Sequence, residues 1–141
     1  MTTVEGLMDV QSFAGIPAFL IYFCVSAVLI AAYVFVYTWI TPHDEFALIR
    51  SNVPGAAVAL GLSTVGFALP LTSAISHSSG ILDLTIWGVI ALLVQVAVYY
   101  LARIPLPDLS QRIAAGEMGP AVWLGLASVT GGLINAASMS T

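Results

Sequence analysis

The sequence predicts an all-α membrane protein with four transmembrane helices. Only 7% of the 141 residues are charged, 60% are hydrophobic, and the mean hydropathy is +1.03. A water-soluble domain carries roughly a quarter charged residues, because its surface must face water. The charges leave four uncharged stretches, residues 10–43, 51–82, 84–102 and 118–141, each close to or above the roughly 20 residues that a helix needs to cross hydrocarbon. We therefore predict one membrane domain, residues 1–141, with spans at about 16–40, 54–76, 82–102 and 118–139.

The composition also argues against several classes of function. There is no lysine, and three arginines against seven acids form no basic patch, so nucleic acid is not an expected partner. The single cysteine, Cys24, lies in the first span and allows no intramolecular disulfide. His43 and His77 fall in different loops without companion ligands, so no metal is expected. We find no nucleophile–base pair, phosphate loop or haem-ligating pair, and expect neither enzyme activity nor a cofactor.

The arginines predict the orientation. Arg50 lies between spans one and two, and Arg103 and Arg112 lie between spans three and four. The positive-inside rule places both loops in the cytoplasm and both termini in the periplasm. The leader before the first span contains Glu5 and Asp9 and no basic residue, unlike a removable signal peptide. The prediction is a multi-pass protein of the bacterial inner membrane.

A shift of 64 residues superposes the two halves of the chain. Residues 55–65 then fall on residues 119–129, with seven of the eleven pairs identical. We interpret this as a tandem duplication of a two-helix hairpin, with repeat 1 at about 16–77 and repeat 2 at about 80–141. Each repeat holds two spans, so the two hairpins are parallel in orientation.

Short amphipathic segments occupy both arginine-bearing loops. Thr41-Pro42-His43-Asp44 offers a cap, a proline for the first helical position and an acid for the first turn. Asp108 and Arg112 stand four residues apart in the second loop. Two interpretations stay open here, a short helix lying in the membrane interface and a solvated turn.

Small residues recur at four-residue spacing in spans two and four. Gly55, Gly61, Gly125 and Gly132 belong to these series, which let helix backbones approach closely. We expect these spans to form the inner packing surface, although such spacing is also common in membrane helices generally. Gln95, a mid-membrane amide in span three, is expected to bond to a neighbouring helix.

A polar cluster is predicted at the periplasmic ends of spans two and four. Pro70 should kink span two and free a backbone carbonyl, for which Thr72 and Ser73 are nearby donors. The matching segment of span four brings Asn135 and Ser138. Thr72, Ser73, Asn135 and Ser138 could form a permeation or ligand site. The alternative is an interhelical hydrogen bond that only holds the bundle together.

Four motifs carry a resemblance to a known family: Ile40-Thr41-Pro42, Leu48-Ile49-Arg50, Leu69-Pro70-Leu71-Thr72-Ser73-Ala74-Ile75 and Asn135-Ala136-Ala137-Ser138-Met139. With them, the chain resembles the small bacterial inner-membrane proteins of the YjfL type, a family of unknown function with repeated two-span units, over about residues 19–140. The resemblance implies an inner-membrane location and brings no catalytic residues. Relatives are often encoded beside stress-response genes, including those of phage-shock-type peripheral membrane proteins.

Two functions from different classes remain. The first is a non-enzymatic, self-associating membrane subunit that contacts a cytoplasmic peripheral membrane protein through Arg50, Arg103 and Arg112; the resemblance suggests a role in a stress response. The second is a small homo-oligomeric channel lined by the polar cluster. Four helices in one monomer leave little room for a water-filled path, so a homo-oligomer is expected in either case.

Overall fold

The computed structural model describes Gly6 and residues 13–140. From Ile16 onwards this described part contains six helices. At about 1.5 Å per residue, even a helix of 22 residues is about 33 Å long and exceeds the hydrocarbon core of about 30 Å. Four of the helices are long and apolar enough to cross a membrane, and their bounds differ from the predicted ones by at most one residue. The prediction of an all-α protein with four spans is therefore confirmed. The helices are α1 (Ile16–Ile40), α2 (Glu45–Arg50), α3 (Pro54–His77), α4 (Ile81–Ala102), α5 (Leu109–Ala114) and α6 (Met118–Met139).

The first loop differs in detail from its predicted capping. The Thr41 hydroxyl and N–H both donate to the Tyr37 carbonyl, at 2.9 and 3.1 Å, and so end α1. The Asp44 carboxylate accepts the N–H of Ala47 at 3.1 Å and caps α2, which begins at Glu45. The expectation that Thr41 is the cap is wrong, because its side chain is already bonded to the preceding helix.

Each arginine-bearing loop contains one six-residue helix, α2 or α5. Leu109 and Ile113 of α5 are completely buried, so this helix packs on the long helices instead of forming a solvated turn. The expected short helices are therefore present, and their position in the membrane interface stays a prediction. We call the end of the bundle that carries α2 and α5 the loop end.

The helix α3 lies at the centre of the bundle. It packs most extensively against α6, and it also contacts α1, α2, α4 and α5. Only one stripe of α1 is buried, formed by Ser26, Leu29, Tyr33 and Tyr37. The Tyr33 ring stacks on Phe67 of α3, with ring centres 4.8 Å apart. Span two thus forms the inner packing surface, as predicted, and most of α1 faces outward. Span four packs closely on span two but is no more buried than span three.

Candidate functional site

Glycines bring α3 and α6 into backbone contact. A Cβ at Gly132 would overlap the Gly66 carbonyl oxygen, and one at Gly66 would overlap the Ser128 carbonyl oxygen. A Cβ at Gly125 would come within 2.6 Å of the Leu62 side chain. No larger residue fits at these positions without movement of a helix. The closest approach is that of Gly132 to the Gly66 carbonyl. From the sequence, Gly132 was singled out but Gly66 was not.

The other two glycines expected in helix packing have different surroundings. A Cβ at Gly55 would lie 3.4 Å from the Glu117 carbonyl oxygen and 3.5 Å from the Ala121 Cβ, so this residue also lies against α6. Gly61, in contrast, is exposed, and a Cβ there would meet no described atom within 4 Å. The expectation that Gly61 packs inside the bundle is therefore wrong for the single chain. The four-residue periodicity does not distinguish the two faces of α3.

The predicted polar cluster is only partly assembled. The Ser73 hydroxyl of α3 donates to the Ala136 carbonyl of α6 at 3.1 Å. The Asn135 amide nitrogen is buried and has no hydrogen-bond partner among the described residues. Thr72 and Ser138 are exposed, and each hydroxyl donates to a carbonyl of its own helix, at 2.6 and 2.8 Å. The structure thus joins the two helices through Ser73 and leaves Thr72 on an outer face.

The carbonyl freed by Pro70 finds a different partner from the expected one. Proline has no N–H, so the Gly66 carbonyl loses its helical donor four residues on. Gln95 of α4 supplies that donor, since its side-chain amide lies 3.0 Å from the Gly66 carbonyl oxygen and 3.2 Å from the Ser128 carbonyl oxygen. The Ser128 hydroxyl donates in return to the Gln95 amide oxygen. The expected bond from Gln95 to a neighbouring helix is confirmed, and the proposed role of Thr72 as a donor to the freed carbonyl is wrong.

A second buried polar cluster at the loop end was not anticipated. Glu45 is completely buried, and its carboxylate lies 2.7 Å from the His43 imidazole nitrogen Nε2. Within residues 13–140 neither group takes part in a hydrogen bond of good geometry, and the Tyr37 hydroxyl is likewise buried without one. Nearby, the Tyr99 and Ser110 hydroxyls are 3.2 Å apart. From the sequence, Glu45 was given no role, because a carboxylate in a loop is usually solvated and the local sequence does not mark this one as buried.

The three arginines differ in their partners. Arg112 donates to both carboxylate oxygens of Glu117 at 3.1–3.3 Å. This contact lowers the pKa of Glu117 and raises that of Arg112. Asp108, four residues before Arg112, adds a weaker electrostatic interaction. The Arg103 guanidinium lies 5.8 Å from the centre of the Tyr99 ring. Arg50 is exposed and makes no ion pair within residues 13–140.

The described residues bring together no group of three or more His, Cys, Asp or Glu side chains suited to a metal ion. The buried chemistry of the bundle consists of amide, hydroxyl and carbonyl groups near mid-membrane and one carboxylate–imidazole pair at the loop end. Such groups can hold helices together, bind protons or bind small polar ligands.

Comparison with known proteins decides the family. The model of the Domain of Unknown Function DUF350 matches residues 11–139. The chain belongs to the DUF350 family. It is 35% identical over 123 residues, covering 87% of this chain and 93% of the relative, to the UPF0719 inner membrane protein YjfL of Escherichia coli strain K12. The YjfL protein of Escherichia coli O157:H7 matches to the same extent. No solved structure matches the chain.

Membership of the DUF350 family confirms the resemblance found in the sequence motifs. Together with the four candidate spans, it identifies a multi-pass inner-membrane protein in contact with the lipid bilayer. The family description and the relatives' names refer to no enzymatic activity. The molecular function is therefore argued from the geometry.

Proposed function

We propose that this protein is a non-enzymatic subunit of the inner membrane that self-associates through the outward face of α3. One observation carries the proposal. Gly61 lies on the most enclosed helix of the bundle, yet it is open to the outside, with no described atom within 4 Å of a Cβ built there.

The surroundings of Gly61 favour another helix over lipid at this position. Ala57, one turn away, is also exposed. Small residues four apart form a shallow groove in which a second helix backbone approaches closely, the geometry by which helices associate in lipid. In contrast, α1 and α4 expose large apolar side chains such as Phe35, Leu82 and Leu93, which suit contact with acyl chains.

Cysteine cross-linking in membranes tests this interface. In a Cys24→Ser background, Gly61→Cys and Ala57→Cys should give disulfide-linked dimers on mild oxidation. Ala97→Cys is the matched control, because it replaces a small exposed residue of α4 at a similar depth. Equal cross-linking at all three positions, or a monomer by mass measurement in nanodiscs, would contradict the proposal.

A bulky residue gives a second test of the same interface. Gly61→Leu should shift the population towards the monomer without loss of folding, because no described side chain stands in its way. Gly119→Leu is the control, since a Cβ at this α6 position also meets nothing within 4 Å. If both variants retain the oligomer, the Gly61 face is not the contact.

The proposal includes a cytoplasmic peripheral membrane protein as a partner of the arginine-bearing loops. Arg50 is exposed and makes no ion pair in the described part of the chain, so it is available to an acidic surface. Arg112 is already paired with Glu117. Arg50→Ala should therefore weaken co-purification of such a partner more than Arg112→Ala does, while membrane insertion is unchanged. Equal retention of the partner by the Arg50→Ala, Arg103→Ala and Arg112→Ala variants would rule out docking through these side chains.

The alternative function, a permeation module, is supported by the buried Asn135 amide nitrogen, for which the described part of the chain offers no hydrogen-bond partner. Asn135→Leu should then alter ion flux through liposomes that contain the purified protein. Thr72→Val is the comparison, because the Thr72 hydroxyl is bonded to its own helix. Liposomes that conduct none of several ions would eliminate this alternative and leave self-association untouched.

A further inference from the structure

Two ionisable side chains are buried together at the loop end. The His43 side chain is 6% exposed and the Glu45 side chain is completely buried, and His43 Nε2 lies 2.7 Å from a Glu45 carboxylate oxygen. A carboxylate is rarely buried in this way unless it is paired or protonated, because burial removes its hydration. The proton content of this pair therefore decides its net charge.

The neighbours of the pair are mostly neutral. The Tyr37 hydroxyl of α1 and the Tyr99 hydroxyl of α4 both lie within electrostatic reach of the Glu45 carboxylate. On the α5 side, Ser110 shares a contact with Tyr99 at 3.2 Å. The charged group on this side is Arg103. Its guanidinium lies over the Tyr99 ring, 5.8 Å from the ring centre. An ionised Glu45 beside a neutral imidazole would thus leave a buried negative charge without a direct cationic partner.

One added proton removes this charge. With the proton on Glu45 both groups are neutral, and with it on His43 they form an ion pair; the net charge is zero in both forms. A second proton would create a buried positive charge, and loss of the first restores the negative one. Because an uncompensated buried charge is costly, the pair is most stable when it holds a single proton.

The distance between the two groups favours a proton over a metal ion. Zinc bonds of about 2.0–2.1 Å at a tetrahedral angle hold ligand atoms about 3.3 Å apart. The observed 2.7 Å is shorter, so the two atoms are too close together to share one zinc ion. No third His, Cys, Asp or Glu joins the pair within the described residues.

We propose that His43 and Glu45 form a proton-binding site that exchanges protons with water at the loop end. The route is a cavity of about 230 Å³ between the two loops, lined by Pro42, His43, Ser110, Gln111 and Ala114. On binding, a hydronium ion in the water at the loop end breaks one O–H bond, and its proton forms an O–H bond on Glu45 or an N–H bond on His43. On release the proton returns to a water molecule.

Nuclear magnetic resonance of histidine labelled with ¹⁵N tests the site in nanodiscs. The chain has two histidines, and His77, exposed at the opposite end of the bundle, is the internal reference. We expect a His43 Nε2–H signal that is shifted downfield and protected from solvent exchange. Glu45→Gln should abolish the downfield shift, whereas Asp44→Asn, a carboxylate-to-amide change at the exposed neighbouring residue, should preserve it. A His43 signal that exchanges as fast as that of His77, or that survives Glu45→Gln unchanged, would overturn the proposal.

The pH dependence of thermal stability is a second, independent readout. The wild type should be most stable at the pH at which the pair holds one proton and should lose stability on either side. The His43→Gln/Glu45→Gln variant, whose two amides carry no charge at any pH, should lack this contribution, so its curve should be flatter. Identical pH profiles would contradict the proposal. Neither measurement depends on self-association, so the two proposals fail separately.

Discussion

Gln95 donates its side-chain amide to the carbonyl of Gly66, the one carbonyl of α3 that Pro70 leaves without its helical donor. A proline within a membrane helix is tolerated where a neighbour satisfies the freed group. Here the neighbour is a side chain from a third helix, and the same amide also reaches the Ser128 carbonyl of α6. A single side chain therefore ties α3, α4 and α6 together near mid-membrane.

Loss of this amide should destabilise the bundle. Gln95→Leu leaves the Gly66 carbonyl without a donor, and we expect a loss of about 1–2 kcal/mol in the free energy of unfolding, measured by denaturation in detergent. In a Pro70→Ala background the helical N–H of residue 70 is restored, so the same substitution should cost less. An equal cost in both backgrounds would show that Gln95 does not serve the carbonyl freed by Pro70.

Substitution of the contact glycines should also destabilise the protein. Gly132→Ala places a methyl group against the Gly66 carbonyl oxygen, and overpacking of this kind costs about 1–3 kcal/mol. Gly119→Ala on the same helix meets nothing within 4 Å and should be neutral or stabilising by up to about 1 kcal/mol, because alanine favours helix. Thermal melting in one detergent compares the two variants, and similar melting temperatures would refute the close contact of α3 with α6.

The Arg112–Glu117 pair should make stability depend on pH. The Arg112 guanidinium donates hydrogen bonds to the Glu117 carboxylate and lowers its pKa. The pair therefore contributes to the free energy of unfolding at pH values above the usual pKa of glutamate. This contribution is lost as the pH falls through the lowered pKa of Glu117. Relative to Glu117→Gln, the wild type should lose melting temperature on acidification. The effect should be small and should fade with added salt, because both side chains are exposed. Parallel curves at low salt would contradict it.

The orientation predicted from the arginines can be tested by labelling in intact cells. In a Cys24→Ser background, a membrane-impermeant maleimide added from the periplasm should modify Ser79→Cys, which lies in the turn between α3 and α4. Arg50→Cys and Arg112→Cys should be modified only after the cells are opened. Labelling of either from the periplasm would reverse the assigned orientation.

The sequence predicted the elements better than their contacts. Spans of 22–25 residues follow from the thickness of hydrocarbon, so runs without charges locate them to within a residue. The same small-residue spacing holds for Gly61 and Gly125, which are equivalent under the shift of 64 residues. Gly125 nevertheless packs against Leu62 while Gly61 faces outward, because the rotation of each helix is set by the neighbours it meets.

For the polar sites, too, the sequence predicted which residues are present but not which contacts they make. Thr72 and Ser138 occupy nearly equivalent positions under the shift of 64 residues. Their hydroxyls nevertheless donate to carbonyls of their own helices, because a backbone carbonyl of the preceding turn is always within reach of a helical hydroxyl. Composition alone determined that this chain dissolves in a bilayer as four helices, because too few charged groups exist to cover a water-facing surface. Only the tertiary structure decided that Glu45 is buried beside His43, since burial of a loop carboxylate depends on which side chains from distant segments close over it.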